Sequence, residues 1–248
     1  MLGPIGRLGK RPARRDPRTL RLARYLKAGL PAPPATIAPQ DLTWGMMKND
    51  ALGDCTIAAA GHMEMSWTAA AGSPFTPTDG AIVKAYMDVS GYSPCIGAST
   101  DRGAVELDVL NYWRQTGIAG RQITAYGVVN PLDHYDVRQC AFIFEGLYIG
   151  LNLPSSAQDQ DVWDVTPGMA PGSWGGHAVP VVGYDVDTLT VVTWGALQKM
   201  TWAFWDLVCD EVYAIVSADQ LAQSGTSPLG FNLSALLADL AAATQAQP

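Results

Sequence analysis

Apolar residues change their spacing once along this chain of 248 residues, near position 146. Before that point they recur at helical spacing in segments that lack proline and end near glycine, which predicts helices. After it, short β-branched runs separated by turn residues predict strands. The predicted helices span residues 55–71, 78–90, 101–117 and 136–145, and the predicted strands span residues 147–153, 178–184, 188–194, 199–204 and 211–217. Helices first and strands second indicate an α+β fold with segregated layers.

The composition indicates a folded main domain with a different segment in front of it. An apolar fraction of 48% with 16% charged residues excludes a disordered, collagen-like or coiled-coil chain. Seven prolines within the first 40 residues keep that segment mostly extended, apart from a short helix expected over 19–28. The predicted regions are a basic, proline-rich arm over 1–40, a main domain over 41–222, and a C-terminal tail over 223–248 with a short helix at 233–242.

The net charge of −7 hides an uneven distribution. Nine of the 16 Lys and Arg side chains and one of the 23 acidic side chains lie in the first 27 residues, so this segment carries +8 and the remaining 221 residues carry −15. Such an arm could stay solvated, bind nucleic acid through charge alone, or dock on an acidic protein surface. We expect docking, onto its own acidic body, a neighbouring copy or a capsid shell, and nucleic acid is a minor alternative. The side chains expected to bind the partner are Arg7, Lys10, Arg11, Arg14, Arg15, Arg18 and Arg21.

The sequence contains no pattern that predicts a membrane-spanning segment, a metal site or a cofactor site. No stretch approaches 18 uncharged apolar residues, and no secretory signal is expected. The four cysteines are far apart, which does not fit a disulfide framework, and Cys95, Cys140 and Cys209 are expected to be buried, reduced thiols. No His or Cys pair has the spacing of metal ligands, and no glycine loop fits a phosphate. We therefore expect no metal and no cofactor.

One cysteine and one histidine stand where nucleophilic chemistry needs them. A glycine-containing turn delivers Cys55 to the first turn of a predicted helix, where the helix dipole favours a thiolate. Far downstream, two glycines precede His177 at the start of a buried strand. A cysteine nucleophile with a histidine base is therefore the candidate dyad. His62 lies about 10 Å along the helix from Cys55, too far for proton transfer, and is expected to be structural, like the surface residue His134.

These residues resemble the papain-like cysteine peptidases in order and spacing over roughly residues 41–217. The resemblance rests on Cys55 at a helix start, Asn49 six residues before it, His177 in the run HAVPVVGYD, and the run VTWG at 192–195. It implies a papain-like fold in which a helical half packs on an antiparallel sheet half. It also implies a peptidase or amidase activity with Cys55 as nucleophile, His177 as base and Asn49 as the amide donor to the oxyanion. The Asp-Cys pair is similar to the bacteriocin-processing branch.

Two positions depart from that pattern. The amide donor of the family is usually Gln, and Asn49 is one methylene shorter. The family's third residue is an Asn two positions before Trp-Gly, where this chain has Val192, which cannot orient an imidazole. Thr193 is the adjacent candidate for that task. The resemblance further implies that Trp194 shields the dyad, and Trp174 is a candidate wall of the substrate groove; plain core packing and a loop anchor are the respective alternatives.

The opening LGKRPARRDPRTLRLARYL, the run WGMMKNDALGDCTIAAAGH and the run VTWGALQKMTWAF resemble proteins encoded in bacteriophages and prophages. That resemblance implies a virion protein, made in the bacterial host cytoplasm and anchored to the capsid or another virion protein by its arm, with self-association as a further possibility. The leading expectation is thus a papain-fold virion accessory or capsid decoration protein with weakened or lost hydrolase activity. The alternative is an active papain-like cysteine peptidase or amidase.

Overall fold

The computed structural model describes residues 6–17, 19–21, 32–217, 234 and 238. Within these residues the α-helices are α1 (Cys55–Ala70), α2 (Asp79–Ser90), α3 (Glu106–Gln115), α4 (His134–Ile143) and α5 (Trp202–Val208). The strands are β1 (Ile123–Val128), β2 (Leu147–Leu153), β3 (Val162–Trp163), β4 (Gly175–Tyr184), β5 (Thr188–Thr193), β6 (Ala196–Thr201) and β7 (Cys209–Ser217). Short 3-10 turns cover Ala98–Thr100 and Ser155–Asp159.

The sheet carries the second half of the chain. Its strand order is β1-β7-β2-β4-β5-β6-β3, and all neighbours are antiparallel except the short parallel pair of β3 and β6. The alanine-rich helix α1 is buried almost throughout and packs against β4. One apolar cluster joins α1, α2 and α3 to the sheet, and a second fills its other side with α4 and α5. The predicted α+β fold is confirmed.

Several predicted boundaries were wrong for local reasons. The run 199–204 is not one strand, because the hydroxyl of Thr201 accepts a hydrogen bond from the Phe204 amide and starts α5 there. α3 begins at Glu106 rather than at residue 101, since Gly103 takes φ +70° and the chain before the helix pairs with the arm. Strands β1 and β3 were not predicted.

Two predicted helices lie largely outside the described residues. Of the helix expected over 19–28, residues 19–21 are not helical, and Arg21 forms a parallel bridge with Val128 instead. Of the helix expected over 233–242, only Ser234 and Ala238 are described, and both are helical and exposed. The expected domain boundary at residue 222 also falls outside the described residues. No helix in the described part of the chain is long and apolar enough to cross a membrane.

Candidate active site

Cys55 is the first residue of α1 and is 1% exposed. Burial raises the pKa of its thiol to about 12, although hydrogen bonding from the backbone of Ala178 and of Gly9 lowers it. Asp54, the residue before the helix, makes no side-chain cap. Repulsion from Asp54 also raises the pKa of the Cys55 thiol, and burial raises the pKa of Asp54 itself to about 8.

His177 lies near the start of β4, with its ring almost fully buried. Its Nε2 atom is 2.7 Å from the hydroxyl Oγ1 of Thr193, at the end of β5. Its ring stacks on Trp194, with centroids 4.8 Å apart and planes at 25°. Its Nδ1 atom has no hydrogen-bond partner among the described residues. The imidazole is therefore held through Nε2 and one face, while Nδ1 stays available as a base.

The Cys55 sulfur contacts the backbone of Ala178, the residue that follows His177 on β4. Burial lowers the pKa of His177 to about 3, so both groups are uncharged at neutral pH in this arrangement. An ion pair of thiolate and imidazolium needs a more solvated cleft. Both groups are thus buried and uncharged, and among the described residues no hydrogen bond joins the Cys55 thiol to Nδ1 of His177.

The residue beside the imidazole is Thr193, whereas Val192 packs in the core cluster shared by the helices and the sheet. Successive side chains on a strand point to opposite faces, so two adjacent positions cannot both face His177. A hydroxyl on the Nε2 side can accept a hydrogen bond from Nε2–H and thereby favour the tautomer in which Nδ1 is unprotonated. Thr193 is accordingly placed to select the tautomer that a base requires.

Asn49 precedes α1 and is buried. Its Nδ2 atom donates to the carbonyl of Leu52, 3.0 Å away, and to the carbonyl of Arg7 in the arm, 2.9 Å away. The amide N–H of Arg7 donates back to the carbonyl of Asn49 at 2.7 Å. The amide group that the resemblance assigns to an oxyanion thus already binds a peptide carbonyl in this structure.

The aromatic side chains form one wall around the imidazole. Trp174 is half-buried, and its ring centroid lies 5.4 Å from that of Trp194. Trp194 has a φ of 48°, and the following Gly195 pairs with Gly45 in the loop before α1. This pairing fixes the turn that lays the indole of Trp194 over His177.

The arm occupies the cleft between these elements. Lys10 forms a parallel bridge with Ala104, and its amide N–H donates to the carbonyl of Gly176 at 3.0 Å. A side chain at Gly9 would overlap the carbonyl of Gly53, and one at Gly176 would overlap the carbonyl of Lys10. The arm backbone therefore touches both walls of the cleft directly and passes over the Cys55 sulfur.

The basic side chains of the arm meet acidic residues of the same chain. The guanidinium of Arg7 lies 3.6 Å from Asp101, and Arg14 forms an ion pair with Asp108. Lys10 forms ion pairs with two residues of β7, Asp210 and Glu211. Arg11 and Arg15 are exposed, Arg21 contributes its backbone bridge, and Arg18 lies outside the described residues.

The remaining histidines and cysteines stand apart from this cleft. Nε2 of buried His62 is 3.0 Å from the carbonyl of Gly45, and burial lowers its pKa to about 4. His134 pairs with Asp206 at the surface. Cys140 is buried and Cys209 partly so, but Cys95 is exposed, which corrects the expectation of a buried thiol: it lies in a turn between α2 and α3. The described residues hold no cluster suited to a metal ion.

Sequence reasoning missed the acidic residues that surround Lys10, namely Glu106, Asp210 and Glu211. Glu106 lies at the start of α3 and is fully buried, while Asp210 and Glu211 lie on β7. Their charges are scattered along the chain and follow no motif. The one available signal was a pair of adjacent acids at the edge of an otherwise apolar strand, which is rare without a partner.

Solved structures resemble this fold, although no protein-family model and no curated protein matches the sequence. Xylellain, a cysteine protease from Xylella fastidiosa, superposes with a TM-score of 0.68 at 15% identity, covering 86% of this chain and 97% of that one. The fold is papain-like. Digestive procathepsin L 3 of Tenebrio molitor gives a TM-score of 0.57 at 10% identity over 77% of this chain and 72% of that one. The Amb a 11 cysteine protease of ragweed pollen, in its proform, gives 0.56 at 16% identity over 77% and 67%.

These superpositions show the papain-like fold, and with identities this low the activity has to be argued from the site.

Proposed function

We propose that this chain is a papain-like cysteine peptidase whose own N-terminal arm occupies the substrate cleft. The observation that carries the proposal is the environment of His177. Its Nε2 atom is bound by Thr193, one ring face is covered by Trp194, and its buried Nδ1 atom is without a partner in the described part of the chain. A histidine that served only to hold the fold together would be expected to use both ring nitrogens.

The reaction follows from the positions of these groups. With the arm displaced, Nδ1 of His177 takes the thiol proton, and the Cys55 thiolate attacks the carbonyl carbon of a peptide bond. The oxyanion that forms is stabilised by the Asn49 amide and the backbone N–H at the start of α1. The imidazolium then gives its proton to the leaving amine, and the thioester left on Cys55 is hydrolysed by water, which His177 deprotonates.

In the structure the arm blocks access of a substrate to these residues. It covers the Cys55 sulfur, fills the position of a substrate carbonyl at Asn49, and forms backbone hydrogen bonds to Ala104 and Gly176. Burial under the arm also holds the thiol and the imidazole uncharged. We infer that activity requires the arm to leave.

The test uses the full chain with Gly9→Ala, whose new methyl group would overlap the carbonyl of Gly53 and lift the arm. Gly80→Ala is the matched control, since nothing lies within 4 Å of a methyl group there. We expect hydrolysis of a mixed fluorogenic peptide pool by Gly9→Ala, weak activity in the Gly80→Ala control, and none when His177→Ala or Cys55→Ala is added. No hydrolysis by Gly9→Ala, with folding verified by circular dichroism, would refute the peptidase proposal.

The role of a phage virion accessory or capsid decoration protein stays a prediction, supported by the resemblance of the sequence runs named above. Of the arm residues assigned to an outside partner, Arg7, Lys10 and Arg14 form ion pairs with the chain's own body, whereas Arg11 and Arg15 are exposed. Co-sedimentation of the protein with phage particles, with and without the substitution Gly9→Ala, tests this role. Absence from purified particles would remove it.

A further inference from the structure

The side chain of Lys10 enters a pocket whose charge is opposite to its own. The side chain is fully buried, and its Nζ atom lies 2.9 Å from Asp210 and 3.2 Å from Glu211. Glu106 adds a third carboxylate that is 0% exposed and has no hydrogen-bond partner among the described residues. A buried lysine is rare, and this one is held by residues from α3 and β7.

The three carboxylates are placed to receive a cation. Burial lowers the pKa of Lys10, but attraction from Glu106, Glu211 and Asp210 outweighs this, and the pKa is raised. Burial raises the pKa of Glu106 and of Glu211, repulsion by neighbouring carboxylates adds to it, and attraction by Lys10 opposes it. The buried carboxyl groups of Glu106 and Glu211, next to the partly exposed Asp210, are costly to the fold unless a positive group lies among them.

The pocket opens beside the nucleophile. The backbone of Gly9 contacts the Cys55 sulfur, and the next residue is Lys10. The amide N–H of Lys10 is bound by the carbonyl of Gly176, one residue before His177. Gly150 on β2 makes room for the Lys10 stem, because a side chain at that position would overlap its Cε atom. A peptide lying over Cys55 therefore presents one neighbouring side chain to this pocket.

We propose that Glu106, Asp210 and Glu211 form a specificity pocket that takes a lysine side chain of a peptide substrate close to the scissile bond, and that Lys10 occupies this pocket while the arm lies in the cleft. The proposal rests on the peptidase function proposed above and names its substrate class. An aliphatic side chain of the same length fits the space but leaves three carboxylates unpaired in a water-poor pocket, so it is disfavoured. Arginine, whose guanidinium group is planar and also positively charged, serves as a second cationic side chain with which lysine is compared.

Selectivity is tested in the full chain with Gly9→Ala. Fluorogenic peptides that differ only in lysine, arginine or norleucine are compared at each position on both sides of the cleaved bond. We expect kcat/KM to favour lysine over norleucine by at least about tenfold at one position, because hydrogen bonds to charged groups are stronger than those between neutral groups. Adding Glu106→Gln or Glu211→Gln reduces that preference, while the exposed Asp187→Asn leaves it unchanged. Equal rates for lysine and norleucine at every position would overturn the pocket.

A binding measurement separates failure of the pocket from failure of the peptidase function. A synthetic peptide of residues 6–17 is titrated into the full chain carrying Gly9→Ala and Cys55→Ala, alongside the same peptide with norleucine in place of Lys10. We expect the lysine peptide to bind at least about tenfold more tightly than the norleucine peptide. Glu106→Gln in the protein should reduce this difference in affinity. Equal affinities would overturn the pocket whether or not the protein hydrolyses peptides. A lysine preference in binding without any hydrolysis would support the pocket and contradict only the peptidase function.

Discussion

The Nε2 atom of His177 lies 2.7 Å from Oγ1 of Thr193, which is the one hydrogen-bond partner of the imidazole within the described part of the chain. A threonine hydroxyl can accept a hydrogen bond from Nε2–H as an amide oxygen would, but it can also donate one to Nε2, so it selects the tautomer less strictly. The stacked ring of Trp194 supplies the rest of the restraint. Under the proposed function, Thr193 and Trp194 together would take the role of the asparagine that the resemblance leads one to expect.

Removing the Thr193 hydroxyl tests its positioning role. In the Gly9→Ala chain, Thr193→Val keeps the shape and removes the hydrogen bond, and we expect kcat/KM to fall about 10- to 100-fold. Thr193→Ser keeps the hydroxyl and should retain most of the rate. A merely structural role would lower the thermal stability of both variants without shifting the pH profile of kcat, whereas a loss of tautomer control shifts the profile of Thr193→Val alone.

Asn49 is expected to stabilise the oxyanion in the transition state. Asn49→Ala in the Gly9→Ala chain should lower kcat by about 10²- to 10³-fold with little change in KM, which is the effect of losing one oxyanion donor. Asn49→Gln restores an amide one methylene further out and should recover part of kcat. A rise in KM at unchanged kcat for Asn49→Ala would instead assign the residue to substrate binding.

Lys10→Met in the otherwise unaltered chain should be destabilising in a pH-dependent way. Removing the cation leaves Glu106 and Glu211 buried without their positive partner, and we expect a loss of about 3 kcal/mol at pH 7.5. Their pKa values are already raised by burial, and without Lys10 they rise further. A carboxyl with a raised folded-state pKa contributes stability below its unfolded pKa and loses it as pH rises, so the deficit should shrink toward pH 4.

Urea unfolding of Lys10→Met at pH 7.5 and pH 4 measures this difference. Lys84→Met is the matched control, because Lys84 is an exposed lysine in an ion pair with Asp88 on the same helix. The control should change stability by less than about 1 kcal/mol at either pH. A Lys10→Met deficit that is equal at both pH values would contradict the charge complementarity of the pocket.

The sequence predicted the elements that carry the candidate catalytic residues better than the short strands at one edge of the sheet. Cys55 at a helix start and His177 in a buried strand could be found because both depend on local patterns, a glycine turn and an apolar run. β3 has two residues, and β6 passes into α5 at Thr201, where the cap depends on one hydroxyl. Such short elements form because they pair with other parts of the fold, and the spacing of apolar residues in the sequence does not predict this pairing.

The acidic pocket and the arm illustrate what sequence could not give. The separation of a +8 arm from an acidic body was visible, and docking on an acidic surface was expected. The sequence did not show which acidic residues would contact Lys10. Glu106 and Asp210 lie on different elements and are brought together only by the fold. The family's orienting position corresponds to Val192, and the sequence offered the adjacent Thr193 as the candidate; the 2.7 Å distance between Thr193 and the imidazole depends on the pleat of β5.

The central claim is that Cys55 and His177 form a working dyad once the arm is displaced. The most direct measurement is the rate of iodoacetamide alkylation of each cysteine at pH 6.5, read by peptide mass spectrometry in the Gly9→Ala and Gly80→Ala chains. We predict that Cys55 reacts slowly in Gly80→Ala, reacts at least about tenfold faster than the exposed Cys95 in Gly9→Ala, and loses this advantage when His177→Ala is added. A Cys55 that labels no faster than Cys95 in Gly9→Ala would contradict the account.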